Sequence, residues 1–112
     1  MNKRQKQWSA RQGDVFVEFV EEEIPKDAEQ VPRESGRVVL AHGEVTGHAH
    51  AITGKGAKLF QRGNLQTMLE ITAKGGVTIR HEEHGAIPLK PGNYRVTRQR
   101  EWSGEDERQV AD

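Results

Sequence analysis

The sequence predicts an all-β protein, a small single-domain barrel or sandwich of about seven short strands. Three observations carry that expectation. Twelve glycines in 112 residues fall mostly where apolar stretches end, the rhythm of short strands joined by tight turns. The stretches themselves are short and rich in β-branched residues, which suit a pleated, half-buried surface. Their spacing leaves no room for alternating βα units.

Residues 1–12 read as a basic, polar tail. Asp14-Val15-Phe16-Val17-Glu18-Phe19-Val20 is the first strand, broken by Glu21 through Pro25. The polar loop that follows, through Pro32 and Gly36, is long enough to wrap an edge of the sheet. Residues 37–42 form the second strand, ended by Gly43, and residues 48–52 the third, stopped by Thr53-Gly54-Lys55-Gly56. Residues 58–61 and 65–71 flank Arg62-Gly63-Asn64 as a hairpin. Lys74-Gly75-Gly76 turns the chain into residues 77–81. Pro88, Pro91 and Gly92 then set up the last strand, 94–102. Ser103 followed by Glu105, Asp106 and Glu107 fits the start of a short C-terminal helix. The expected organisation is a β domain over 13–102 between a basic tail, 1–12, and an acidic tail, 103–112.

Composition narrows the function classes. Apolar residues make up 33% of the chain and six are aromatic, so the core is thin and aliphatic. Charged residues make up 30% and cancel to zero, which leaves no global field favouring nucleic acid or an anionic membrane. The absence of cysteine excludes disulfides and thiolate metal sites. The basic N-terminus has no apolar run after it, unlike a secretory signal. No stretch approaches the roughly 18–20 apolar residues of a membrane span. The expectation is a cytoplasmic protein. Its oppositely charged ends read as solvated tails or, more sharply, as segments that dock on a neighbouring subunit or an RNA backbone.

All five histidines fall in two clusters, HGEVTGHAH over 42–50 and HEEH over 81–84. Side chains alternate faces along a strand, so His48 and His50 project from one face about 6.5–7 Å apart. Two such imidazoles converge on a divalent metal ion, zinc first, with Fe, Mn, Ni or Cu as other occupants. The third ligand is one of His42, His81 or His84. His42 precedes a turn that folds the chain back beside His48. His81 and His84, three apart, face opposite sides of a continuous strand unless the chain bends near Gly85 and Pro88. Glu44, Glu82 and Glu83 are candidates for a carboxylate ligand, a supporting hydrogen-bond partner or a general base, and His84 for an acid or base.

Three functions fit these residues. The first is metal-dependent chemistry, hydrolytic or redox, on an unidentified small molecule or RNA. The second is a non-enzymatic binding or homo-oligomeric assembly module. The third is a metal-free ribonuclease with one histidine as acid and one as base, helped by Arg95, Arg98 and Arg100 on the last strand. Arg98 and Arg100 share a face with Tyr94, Val96 and Trp102; Arg95 points the other way. Charge on an edge strand serves equally to prevent aggregation.

The stretches 11–15, 42–50, 81–84 and 91–102 together resemble a family of small uncharacterised bacterial and phage-type proteins, and that resemblance brings no activity with it. His48 and His50 also resemble the His-X-His of cupins, metal-binding β-barrels, which implies a similar type of site. The Glu that follows in cupins is missing here, and His84 precedes Pro91-Gly92 rather than following it.

Overall fold

The structure is a computed structural model and describes residues 8–43, 45, 47–63 and 66–98. Among them are ten strands and no helix: β1 (Ser9–Gln12), β2 (Val15–Val20), β3 (Glu29–Val31), β4 (Val38–His42), β5 (Ala49–Ile52), β6 (Ala57–Arg62), β7 (Gln66–Ile71), β8 (Val77–His81), β9 (His84–Leu89) and β10 (Gly92–Arg98). They form two antiparallel sheets, one of six strands in the order β1-β2-β10-β7-β6-β3 and one of four in the order β4-β5-β8-β9. The sheets pack as a sandwich rather than closing into a barrel.

The expected alternation holds where it was clearest. Val15, Val17 and Phe19 of β2 face inward while Phe16, Glu18 and Val20 do not. The inward side chains of both sheets make one aliphatic core, with Ile52, Leu69, Ile79 and Leu89 among its most deeply buried members. Tyr94 anchors it from β10. Its ring meets Trp8 and Phe19 edge-on at 5.7 and 5.6 Å, a favourable geometry for aromatic quadrupoles, and its hydroxyl donates to Lys90 O at 2.6 Å. In β4 the register against β5 shifts between Val39 and Ala41, and Val38 through Ala41 are all buried.

Three strands exceed the expected seven. Ser9–Gln12, read as tail, is β1, because Gly13, at φ 58°, and Asp14 make a two-residue hairpin turn onto β2. Residues 29–31 of the long polar loop pair with β6 as an edge strand, and the chain past His81 folds straight back as β9. The last strand is described only through Arg98. Arg100, Trp102 and the expected C-terminal helix lie outside the described residues. No helix of the described chain is long and apolar enough to cross a membrane.

Candidate functional site

His50 lies in β5 and His48 immediately precedes that strand, two residues apart as the strand period requires for one face. His48 and His50 both line a cavity of about 240 Å³ at one end of the four-stranded sheet. His81 and His84 line it too. They end β8 and begin β9, with Glu82 and Glu83 as the two-residue connection, and are direct cross-strand partners, which places their side chains on one face. The bend that these residues needed is a tight hairpin. Ring centroids lie 4.3 Å apart for His50 and His81, 4.7 Å for His81 and His84, 5.8 Å for His48 and His81, and 6.0 Å for His50 and His84.

The β1–β2 hairpin makes the third wall. Gly13 packs against the rings so closely that a Cβ there would lie 2.8 Å from His84 Nε2 and 3.3 Å from His50 Cε1. Asp14 follows, with Oδ1 3.4 Å from His50 Nε2 and Oδ2 accepting from Arg98 Nη2 at 3.1 Å. Burial opposes the Asp14 charge, but the Arg98 hydrogen bond and positive charge outweigh it and hold the carboxyl below its ordinary range.

Gln12 decides which nitrogen of His50 carries the proton. Its amide Nε2 donates to Ile79 O at 3.1 Å and to Gly85 O at 2.8 Å. Those two bonds fix the amide orientation, so Oε1, 2.8 Å from His50 Nδ1, must accept. The proton therefore sits on Nδ1, and Nε2 turns a lone pair towards Asp14 and the cavity. Both side chains are 2% exposed. Burial first, and then charge on His81, pushes the His50 pKa from 6.5 down to about 4, against the pull of Asp14. His50 is a neutral imidazole at neutral pH.

The other rings are held less completely. His81 Nδ1 accepts from the Glu83 N–H at 3.0 Å, so its neutral form carries the proton on Nε2. His48 Nδ1 lies 3.2 Å from Glu83 Oε2, but the approach is too oblique for a hydrogen bond, and this buried nitrogen has no hydrogen-bond partner among the described residues. As the side chains stand, no three His, Asp or Glu groups among the described residues close on a single ion position.

Two expected members are elsewhere. His42 lies opposite Ala49 in the β4–β5 ladder, hence on the face away from His50, and its Nε2 meets Glu34 Oε1 at 3.0 Å. Glu82 lies outside the cavity lining. Its Oε1 accepts from the Ala49 N–H at 3.0 Å, a bond that fastens the β8–β9 turn to β5 and lowers the Glu82 pKa. Glu83 does line the cavity, and Glu44 lies outside the described residues. Sequence reasoning missed Gln12, Gly13 and Asp14. The available signal was Gly13-Asp14 ahead of a strongly periodic strand, a two-residue hairpin turn.

The likeness to cupins remains one of His-X-His spacing. No curated protein and no solved structure matches the chain. Residues 11–99, which include every wall of the histidine cavity, match one family, and the chain therefore belongs to the family described as Domain of unknown function (DUF8820).

Proposed function

We propose that this chain binds a divalent metal ion of the zinc type in the histidine cavity and uses it for hydrolytic chemistry. The observation that carries the reading is the His50 arrangement. Its neutral ring, locked by Gln12 with the Nε2 lone pair towards the cavity, has the protonation state and the supporting partner that imidazole ligands need. His48, His84 and Asp14 add donors of the right kind, and His48 Nδ1 is a buried nitrogen with no hydrogen-bond partner among the described residues. His81 joins the set if its ring turns over. An ion bound here supplies Lewis acidity at neutral pH. Glu83, beside His48, is then the group best placed to accept a proton.

One observation favours a metal-free second reading. His50 Nε2 offers a lone pair and His81 Nε2 an N–H, on rings 4.3 Å apart, an acid and a base side by side. Against it, a pKa of about 4 makes His50 a weak base.

Assay of the zinc-loaded protein against p-nitrophenyl acetate and bis(p-nitrophenyl) phosphate, with and without EDTA, separates the two. The metal reading expects turnover that chelator and His50→Ala both remove. Turnover that survives EDTA and disappears in His50→Ala transfers the site to acid–base chemistry.

A further inference from the structure

A second and larger opening lies between the sheets. It is a cleft of about 540 Å³ beside β4, lined among others by Gln61, Thr67, Arg95, Thr97, Arg98 and His42. That volume is within the roughly 300–1,000 Å³ of small-molecule sites. We propose that this cleft binds the oxyanion group, carboxylate or phosphate, of a small molecule, with the Arg98 guanidinium as its principal anchor. The inference goes beyond the metal site and does not depend on it.

Arg98 is out of place by packing alone. It follows Tyr94 and Val96 on the inward face of β10, and those two are 1% and 6% exposed. A guanidinium on the inner face of a sandwich is costly without partners that use its donors. Its Nη2 donates to Asp14 Oδ2 at 3.1 Å and to His42 O at 3.4 Å. Its Nε is buried and has no hydrogen-bond acceptor among the described residues. Leaving such a donor unmatched costs about 1–3 kcal/mol, and the residue that carries it lines the cleft.

The charge of the lining favours an anion over a cation. Arg95 and Arg98 stand against one carboxylate, Glu34, which His42 Nε2 already meets at 3.0 Å. Arg95 donates to Glu18 and Glu22 and Arg98 to Asp14, but Arg98 alone of the two keeps a buried Nε with no acceptor among the described residues, which makes it the anchor. The Arg98 side chain is only 26% exposed, so its attraction for an oxyanion is less screened than that of a surface arginine. The hydroxyl of Thr67 and the amide of Gln61, both on the inward parity of their strands, supply neutral donors around it. The cleft also adjoins the histidine cavity. Arg98 Nη2 grips Asp14, which lines that cavity, and His42 O, one residue before its lining residue Gly43.

The test is a titration of the chelator-stripped chain, followed by backbone-amide NMR, with inorganic phosphate in one arm and succinate in the other. Because no metal is present, failure of the metal reading leaves the result untouched. Saturable shifts at Gln61, Thr67 and Thr97 are expected in at least one arm, and the arm that saturates identifies the oxyanion. Arg98→Gln should weaken binding about ten- to a hundredfold. The paired change Gln61→Leu with Thr67→Val, which leaves the Arg98–Asp14 contact intact, should weaken it too and covers the case in which Arg98→Gln does not fold. Lys58→Gln, on an exposed site away from the cleft, should bind as the parent does. The proposal is overturned if neither arm saturates, if the cleft variants bind like the parent, or if Lys58→Gln weakens binding as much as they do.

Discussion

His50 is where local chemistry is most tightly determined. A buried imidazole bonded at Nδ1 to a fixed amide oxygen has one tautomer available, and burial keeps it neutral. Removing the amide in Gln12→Leu leaves the buried His50 Nδ1–H without its acceptor and takes one donor each from the Ile79 and Gly85 carbonyls. A loss of about 2–4 kcal/mol is expected, read as a shift in urea midpoint with unchanged slope. The same arrangement sets a pH dependence in the metal-free chain. The folded pKa of about 4 lies below the ordinary 6.5, so the unfolded chain binds more protons between those values. Stability is complete above pH 6.5 and falls as pH drops towards 4, by on the order of 3 kcal/mol. Asp14, held below its ordinary 3.8, adds its loss only at still lower pH. Urea unfolding at pH 7.5, 6.5, 5.5 and 4.5 checks this, and His50→Gln should flatten the curve across that window. The His48 and His50 placement was legible in the sequence, because strand alternation needs no long-range information. Gln12 was not legible, since its role depends on carbonyls 67 and 73 positions further along the chain.

At the level of elements, two hairpin turns build the cavity. Gly13-Asp14 swings β1 over the rings, and Glu82-Glu83 sets His81 across from His84. Strands with strong alternation, such as β2, or with dense apolar runs, such as β4 and β5, announced themselves. β1 and β3 did not, because Ser9–Gln12 and Glu29–Val31 are almost wholly polar and become strands only by pairing at sheet edges. HEEH was ambiguous for a related reason. Spacing alone cannot distinguish a continuing strand, which splits the two rings, from a two-residue turn, which joins them. The turn account predicts that one glycine inserted between Glu82 and Glu83 uncouples the His81–His84 pair. Zinc affinity should fall about ten- to a hundredfold, measured by competition with a chromophoric chelator, while the urea midpoint moves little, because the insertion adds only one residue to a surface loop. An insertion that leaves zinc affinity unchanged would contradict the placement of both rings in one site.

The molecule as a whole brings together parts that no local pattern links. The six-stranded sheet contributes Gln12, Gly13, Asp14 and Arg98, and the four-stranded sheet contributes the histidines. Gln12 joins them directly, since it belongs to β1 and its amide reaches Ile79 and Gly85 in the opposite sheet. The histidine cavity is thus a product of how the two sheets dock, and the Arg98 cleft is its neighbour across a partition of Asp14 and His42. The all-β class, as a barrel or sandwich, could be read from glycine punctuation and short apolar stretches, and the docking of the two sheets decides for the sandwich. The placement of His42 outside the site could not, because it follows from the paired register that sets His42 opposite Ala49.

The central claim, that these histidines form one metal site, is tested most directly by elemental analysis of the protein after zinc loading and desalting, beside His48→Ala and His50→Ala. The account predicts about one equivalent of zinc per parent chain and only traces in His50→Ala, with His48→Ala between them. Zinc that desalting removes fully from the parent chain, or that both variants retain at the parent's level, would contradict it.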